Sequence, residues 1–270
     1  MAQLLLRGTG LGDVDAVLFD KDGTLSVSEP ELITLAQARV FLCLERVEPG
    51  LRPELEPLLR RAYGLRHHPA DPADPASLAP AICPAGITAV ASRDHNLIAT
   101  ATALVQVGMG WPEALALSET VFEAADAADA RRAAAGAARG TSATTEGLRG
   151  WLEQLKAAGV RCAVISNDDI AGIEHFLASH GLEPYFAGFW SAEHRPRKPD
   201  PAAVHGLCAE LGIPAERCAL IGDANSDLRM AVAAGIPHQR ALGYTAAWRT
   251  PPPLAEPHPL VHHWSELALA

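Results

Sequence analysis

The stretch Val17-Leu18-Phe19-Asp20-Lys21-Asp22-Gly23-Thr24-Leu25 decides how the rest of the chain is interpreted. A short apolar run, the length of a buried strand, ends here in two carboxylates one residue apart. Asp20 and Asp22 share one side of an extended backbone, because side chains alternate with a period of two. Such a pair suits a Mg²⁺ site in which one carboxylate is a nucleophile and the other carries a proton. Taken alone, the pattern is equally typical of a polar turn after a strand.

Composition bounds the class of protein. The 270 residues are 49% hydrophobic and 20% charged, which is typical of a globular chain with a full core. The net charge of -10 disfavours nucleic acid or an anionic membrane as the main partner. No apolar run reaches the roughly 18 residues of a membrane span, and the first ten residues are too weakly apolar for a secretory signal. We expect a cytoplasmic protein whose five scattered cysteines are free thiols.

The chain after residue 150 alternates strands with helices of 10–12 residues, which predicts an α/β fold with a doubly wound parallel sheet. Strands are predicted at 160–165, 186–190 and 218–221, and helices at 151–158, 170–179, 201–211 and from Ser226 or Asp227 to Ala234. The strand at 14–20 belongs with these units. The remaining ends are predicted to be irregular: a flexible glycine-rich lead-in at 8–12, and a C-terminal coil with one short helix.

Residues 28–140 show helical patterning with no clear strand, and they are predicted to be an inserted all-helical domain. The catalytic core then comprises residues 1–27 and 141–270. Within the insertion, prolines crowd residues 64–86, which favours a long irregular loop whose role the sequence leaves open. An insertion that leaves the sheet beside the acidic pair is well placed to act as a lid.

Polar side chains follow three of the predicted strands, where ligands bind in doubly wound sheets. Asp20 and Asp22 follow the first strand, Ser166 and Asn167 follow the strand at 160–165, and Asp223 follows the strand at 218–221. A cation, Lys198, precedes a helix that Asp200-Pro201 is expected to begin. Each feature has a simpler interpretation as a turn, a helix cap or a solvated charge, but their joint occurrence in this order favours one phosphate-binding site.

These stretches resemble, in order, the four motifs of the haloacid dehalogenase superfamily: residues 20–24, Ser166, Lys198-Pro199, and Gly222-Asp223 with Asp227. The likeness covers residues 14–25 and roughly 148–245. A helical insertion directly after the first motif resembles the C1 cap class of that superfamily. Among C1 members the chain is most similar to hydrolases of the phosphoglycolate phosphatase type.

The resemblance implies a role for each matching residue. Asp20 would be the nucleophile and Asp22 the general acid and base. Mg²⁺ would be bound by Asp20, the main-chain carbonyl of Asp22, and Asp223. Asp227 would be either a direct or a water-mediated ligand.

The same resemblance implies the residues that hold the phosphate and the substrate. Ser166, the Asn167 amide and Thr24 would bind phosphate oxygens, and Lys198 would compensate their charge. In the insertion, Arg93 and Asn96 at the start of a predicted helix are candidates for contacting the non-reacting end of the substrate, although a surface role for Arg93 is equally compatible.

The function predicted from these features is Mg²⁺-dependent hydrolysis of a small phosphomonoester, phosphoglycolate-like or a sugar phosphate, through an aspartyl-phosphate. Two alternatives stay open: a phosphomutase of the same fold, similar to β-phosphoglucomutase, and a phosphate-binding scaffold without turnover. The partner is expected to be a small phosphorylated metabolite. The protein is expected to be a monomer or a homodimer.

Overall fold

The computed structural model describes residues 2–71, 74–134, 142–254 and 257–270. Contacts between residues divide the chain into two compact units. The core unit comprises Met1–Ser28 with Ser142–Ala270, and the inserted unit comprises Glu29–Thr141. The inserted unit therefore begins at Glu29, nine residues after Asp20.

The helices and strands follow the order that the sequence pattern suggests, with additional strands. The strands are β1 Ala2–Leu6, β2 Thr9–Val14, β3 Ala16–Phe19, β4 Ser26–Val27, β5 Leu65–Asp71, β6 Asp74–Ile82, β7 Ala143–Thr144, β8 Arg161–Ile165, β9 Phe186–Trp190, β10 Cys218–Gly222, β11 Ala241–Tyr244, β12 Leu260–Val261 and β13 Leu267–Leu269. The helices are α1 Glu29–Arg46, α2 Arg52–Ala62, α3 Ile87–Val90, α4 Arg93–Gln106, α5 Trp111–Ala134, α6 Leu148–Ala157, α7 Ile170–Ser179, α8 Pro201–Leu211 and α9 Asn225–Ala233.

The core unit is built on a six-stranded sheet in the order β12-β11-β10-β3-β8-β9. Its neighbouring strands are all parallel, as predicted. The central strand β3 is completely buried, which explains its unbroken apolar sequence. Its last residue, Phe19, pairs with Ile221 of β10 and Val164 of β8, so the carboxyl ends of the three strands lie at one edge.

Helix α8 shows how the sequence sets local structure in this unit. The Asp200 carboxylate accepts a hydrogen bond from the Ala202 amide at 2.9 Å, and Pro201 occupies the first turn, as predicted. Gly212 ends the helix with a left-handed conformation, φ +63°. The buried face of α8, including Val204 and Leu207, packs in the main apolar core beside the sheet.

Both ends of the chain are more regular than predicted. The expected flexible lead-in at residues 8–12 is wrong: β2 covers most of it and pairs antiparallel with β1, which in turn pairs with β13. At the C-terminus, residues 251–254 and 257–259 form the expected coil, and the short 3-10 helix Trp264–Glu266 follows, but the tail also contains the strands β12 and β13, which were not expected. Strand β13 pairs with β1 at the other end of the chain, with Leu5 opposite Ala268, and a local pattern does not reveal such pairing.

The inserted unit consists of helices α1–α5 and one β-hairpin, so the expectation of an all-helical insertion needs correction. Residues 64–86 do not form a long irregular loop: β5 and β6 pair antiparallel, from Leu65 opposite Ile82 to Asp71 opposite Asp74. The prolines that suggested a loop are compatible with an isolated hairpin, where each strand has an unpaired edge that needs no amide donor.

The cysteines agree with their sequence interpretation. All five are free thiols, and Cys162 and Cys218 are buried in β8 and β10. Among the described residues, no helix combines the length and the apolar character needed to cross a membrane.

Candidate active site

The acidic loop, residues 20–26, turns sharply as it leaves β3. The carbonyl oxygen of Lys21 accepts hydrogen bonds from the amides of Leu25 at 2.9 Å and Ser26 at 3.0 Å. The turn requires one residue in the left-handed backbone conformation, and Gly23 adopts it with φ +78°. The Asp20 amide is anchored to the Ile221 carbonyl at 2.9 Å, which fixes the loop to the end of β10. This geometry holds Asp20 at the carboxyl edge of the sheet.

Lys198 and Asp20 form a buried ion pair in the core unit. The Lys198 Nζ lies 2.7 Å from Asp20 Oδ1, 2.8 Å from Asp227 Oδ1 and 3.2 Å from the Ile165 carbonyl oxygen. Burial lowers the pKa of Lys198, but the carboxylates of Asp20 and Asp227 outweigh it, and the net pKa is raised. Lys198 therefore stays protonated and places a fixed positive charge beside the predicted nucleophile.

Three carboxylates converge at this point. Asp20, Asp223 and Asp227 are all buried, and each offers one oxygen within 4.8 Å of the others. Burial, only partly offset by Lys198, raises the pKa of Asp20 to about 6. Burial and the charges of Asp20 and Asp227 raise the pKa of Asp223 as well. Three carboxylates and one lysine leave an excess of negative charge among side chains that are largely buried.

This donor set fits Mg²⁺. Magnesium prefers hard oxygen ligands and is commonly held by a few carboxylates that leave positions for phosphate and water. Asp227 contributes one oxygen to Lys198, while its Oδ2 accepts a hydrogen bond from the Ala224 amide at 3.3 Å. Asp227 is therefore tied to the loop after β10 and to Lys198.

Asp22 is oriented by different partners. Its Oδ1 accepts hydrogen bonds from Lys21 Nζ at 2.7 Å and from Ser26 Oγ at 3.2 Å. Lys21 Nζ also lies 3.0 Å from Asp168 Oδ2. Burial lowers the pKa of Lys21, but Asp22 and Asp168 outweigh that effect and raise it overall. The sequence reasoning assigned no role to Lys21 or Asp168.

The predicted phosphate-binding residues lie at the same sheet edge, and their roles stay predictions. The Ser166 hydroxyl oxygen accepts a hydrogen bond from the Asp168 amide at 3.1 Å, so it caps the turn after β8. That contact leaves the hydroxyl proton of Ser166 available to a ligand. Thr24 is completely buried, and its Oγ1 has no hydrogen-bond partner among the described residues. Asn167 follows Ser166 in the same turn.

The two specificity candidates of the inserted unit have protein partners of their own. Arg93 binds the Asp126 carboxylate through Nε at 3.0 Å and Nη2 at 2.7 Å. Asn96 is buried, and its side-chain amide donates to the carbonyls of Ile87 and Ser92, both at 3.0 Å. Asn96 thus stabilises the turn before α4, and its predicted contact with a substrate remains without structural support. To bind a substrate, Arg93 would have to give up its hydrogen bonds to the Asp126 carboxylate.

Trp248 joins the site although no sequence pattern pointed to it. Its Nε1 donates a hydrogen bond to Asp223 Oδ2 at 2.6 Å. Trp248 lies 25 residues after Asp223, in a segment without a recognisable motif. Only the spatial neighbourhood of β10 and β11 brings the two side chains together.

Comparison with known proteins identifies related sequences. A family model described as haloacid dehalogenase-like hydrolase matches residues 14–235. The phosphoglycolate phosphatase of Pseudomonas fluorescens is 30% identical over 138 residues, which are 51% of this chain and 50% of that protein. The phosphoglycolate phosphatase of Colwellia psychrerythraea is 36% identical over 86 residues, 32% of this chain and 38% of the relative. The chain thus spans about half the length of these curated relatives or less.

Solved structures show the same fold at lower identity. A protein from Haemophilus somnus 129pt, described as a predicted phosphoglycolate phosphatase, aligns with a TM-score of 0.62 at 18% identity, over 94% of this chain and 96% of that one. One from Lactobacillus plantarum, described as a putative phosphoglycolate phosphatase, aligns with a TM-score of 0.56 at 17% identity, over 94% and 97%. With the family model matching most of its length, the chain belongs to the haloacid dehalogenase-like hydrolases.

Proposed function

We propose that this protein is a Mg²⁺-dependent phosphomonoesterase that acts on a small phosphomonoester through an aspartyl-phosphate on Asp20. The observation that carries the proposal is the buried contact of Lys198 with Asp20, inside the cluster that Asp20 forms with Asp223 and Asp227. A cation held against a nucleophilic carboxylate suits phosphoryl transfer, in which positioning and charge stabilisation supply most of the catalysis.

The residues of the site divide the reaction between them. An Asp20 carboxylate oxygen attacks phosphorus, and the bond from phosphorus to the ester oxygen breaks. Asp22 gives its proton to the departing alkoxide, so the first product is a neutral alcohol. Asp22, now ionised, takes a proton from water, whose oxygen attacks the phosphorus of the aspartyl-phosphate. The bond from phosphorus to the Asp20 oxygen breaks, phosphate leaves, and both carboxyl groups return to their starting state.

The fixed charges support both steps. Lys198 stabilises the negative charge of Asp20 and of the phosphoryl oxygens that approach it. Side-chain oxygens of Asp20, Asp223 and Asp227, with the main-chain carbonyl of Asp22, would hold the metal. When bound, Mg²⁺ neutralises phosphoryl oxygens that otherwise repel the incoming carboxylate. General acid–base assistance by Asp22 is expected to contribute about 10²–10⁴-fold.

The proposed substrate class rests on the names of the related proteins and not on the geometry of the site alone. The curated relatives are named phosphoglycolate phosphatase, which supports a small, anionic phosphomonoester such as phosphoglycolate. Sugar phosphates remain in the proposed class. Arg93 is the proposed partner of a substrate carboxylate, since its Nε and Nη2 already donate to one oxygen, Oδ2, of the Asp126 carboxylate.

The test is a phosphatase assay with the purified protein and a panel of phosphorylated metabolites that includes phosphoglycolate and sugar phosphates. We expect release of phosphate from p-nitrophenyl phosphate without any bisphosphate primer, loss of turnover in EDTA and recovery with Mg²⁺. Asp20→Asn should abolish turnover, whereas Glu210→Gln, an exposed acid of α8, should leave it unchanged.

Three outcomes contradict the proposal. Turnover that needs a bisphosphate primer and moves the phosphoryl group within a sugar would identify a phosphomutase. Phosphate binding without turnover of any tested ester would identify a binding scaffold. Activity that is indifferent to both EDTA and Mg²⁺ would remove the metal from the mechanism.

A further inference from the structure

The hydrogen bond between Trp248 and Asp223 is the contact that the proposed mechanism leaves unexplained. The 2.6 Å distance from Trp248 Nε1 to Asp223 Oδ2 is short for a neutral N–H donor. Both side chains are buried, with 6% of Trp248 and 2% of Asp223 exposed. An indole N–H is a donor only, so it pairs with an acceptor oxygen and not with a second donor. The indole of Trp248 therefore holds one oxygen of the buried Asp223 carboxylate.

Gly23 makes this contact possible. A Cβ atom added to Gly23 would lie 2.4 Å from both Asp223 Oδ2 and Trp248 Nε1, a distance that real side chains do not adopt. The glycine of the acidic loop thus has two functions, the left-handed turn and the space for the indole–carboxylate pair. Gly23 of the acidic loop thus lies directly against the pair.

The chemistry of the donor matters because of the neighbouring cluster. Asp223 shares its surroundings with Asp20 and Asp227, each of which offers an oxygen within 4.8 Å of the others. An indole carries no charge, so it can hold one oxygen of Asp223 without repelling a cation at the other. A lysine or arginine in its place would compete with the cation for the carboxylate. Lys198 already supplies the positive charge that Asp20 and Asp227 share.

We infer that Trp248 is a positioning residue that holds Asp223 for Mg²⁺ binding by Asp20, Asp223 and Asp227. The inference rests on the metal site of the proposed function. A side chain that hydrogen-bonds a metal ligand without touching the metal fixes the orientation of that ligand, and its loss typically weakens metal binding about 10–100-fold. Trp248 touches neither substrate nor phosphorus in this role.

The experiment compares two tryptophan variants by isothermal titration of metal-free protein with Mg²⁺. Trp248→Phe keeps an aromatic ring and removes the N–H donor. Trp264→Phe is the matched control, because Trp264 is also buried and donates through Nε1 at 2.8 Å, but to the neutral Thr145 hydroxyl. We expect the Mg²⁺ dissociation constant to rise about 10–100-fold in Trp248→Phe and less than about twofold in Trp264→Phe.

A second measurement needs no substitution. In ¹⁵N-labelled wild-type protein, Mg²⁺ should shift the indole N–H resonance of Trp248 and leave that of Trp264 in place. Equal Mg²⁺ affinities in wild type and Trp248→Phe, or a Trp248 resonance that ignores the metal, would overturn the inference while leaving the proposed function intact. Mg²⁺ binding that depends on Trp248 in a protein without phosphatase activity would support the inference and refute the proposed function. Wild-type protein that binds no Mg²⁺ would refute both.

Discussion

Lys198 Nζ lies 2.7 Å from Asp20 Oδ1, although 178 positions separate the two residues in the chain. The contact is buried, and the same ammonium group also pairs with Asp227 at 2.8 Å. One cation thus balances two carboxylates that burial would otherwise make costly to ionise. The pair links the first predicted motif to the third, and its removal tests stability and activity together.

Lys198→Met should reduce both the stability and the activity of the protein. We expect kcat/KM to fall by at least about 10²-fold, since removal of one preorganised donor to the reacting oxygens has an effect of this size. Because the variant leaves Asp20 and Asp227 buried without their cation, we expect a loss of about 3–5 kcal/mol in the free energy of unfolding at pH 8 in EDTA. Urea unfolding measures this loss, with Lys156→Met, an exposed lysine, as control. A variant as stable as wild type would show that Lys198 does not compensate these charges.

Asp20→Asn should stabilise the metal-free protein while it removes activity. Burial raises the pKa of Asp20 from its ordinary 3.8 to about 6, so the folded protein binds this proton more tightly than the unfolded chain does. Ionisation of Asp20 therefore opposes folding above pH 6, and this cost disappears as the pH falls from 6 towards 3.8. Asparagine resembles the protonated acid and avoids the cost, which amounts to about 3 kcal/mol because one pKa unit corresponds to about 1.4 kcal/mol.

The measurement for Asp20→Asn is thermal unfolding in EDTA between pH 5 and pH 8. The variant should melt above wild type at pH 8, and the difference should shrink towards pH 5. Mg²⁺ at about 100 times its dissociation constant should add about 2.7 kcal/mol to wild type, and less to the variant, which has lost one ligand. A difference between variant and wild type that does not change with pH would argue that Asp20 keeps its ordinary pKa.

Lys21 offers a test of how Asp22 is held. Its ammonium group lies 2.7 Å from Asp22 Oδ1 and 3.0 Å from Asp168 Oδ2, and Asp168 remains partly accessible. Lys21→Met should cost about 2 kcal/mol, since it leaves Asp168 next to Asp22 without their shared cation. The double variant Lys21→Met with Asp168→Asn should recover part of that loss, because the unpaired charge is gone. Urea unfolding of the single and double variants measures the coupling, and strictly additive effects would contradict it.

The sequence was most informative where parallel strands end. Phe19, Val164 and Ile221 pair across β3, β8 and β10, so any polar residues that follow them must meet at one edge. Helix α8 was equally predictable, because Asp200, Pro201 and Gly212 are local signals that act within a few residues.

Other features depend on contacts that no local pattern encodes. Trp248 reaches Asp223 only because β11 lies next to β10, and the indole is one of five tryptophans in the sequence. The prolines within residues 64–86 predict a loop, whereas the isolated hairpin of β5 and β6 tolerates prolines at its unpaired edges. Lys21 lies between Asp20 and Asp22 in the sequence, but only the structure shows that it binds the carboxylates of Asp22 and Asp168.

Arg39 in α1 provides a prediction for the inserted unit. Only 5% of Arg39 is exposed, its guanidinium stacks 3.8 Å above the ring of Phe122, and its Nε has no hydrogen-bond partner among the described residues. The neighbouring carboxylate of Asp126 is bound by Arg93. Burial lowers the pKa of Arg39 from 12.5 to about 10. At pH 7 the guanidinium is still charged, so its burial lowers the free energy of unfolding.

Arg39→Met should therefore raise the free energy of unfolding by about 2–3 kcal/mol. The pKa difference corresponds to about 3.5 kcal/mol at 1.4 kcal/mol per unit, and loss of the cation–π contact with Phe122 offsets about 1 kcal/mol of it. The thioether of methionine can occupy the same position above the ring. Urea unfolding at pH 7 measures the change, and Arg46→Met, an exposed arginine of the same helix, should stay within about 0.5 kcal/mol of wild type. A loss of stability in Arg39→Met alone would mean that the charge itself stabilises the inserted unit.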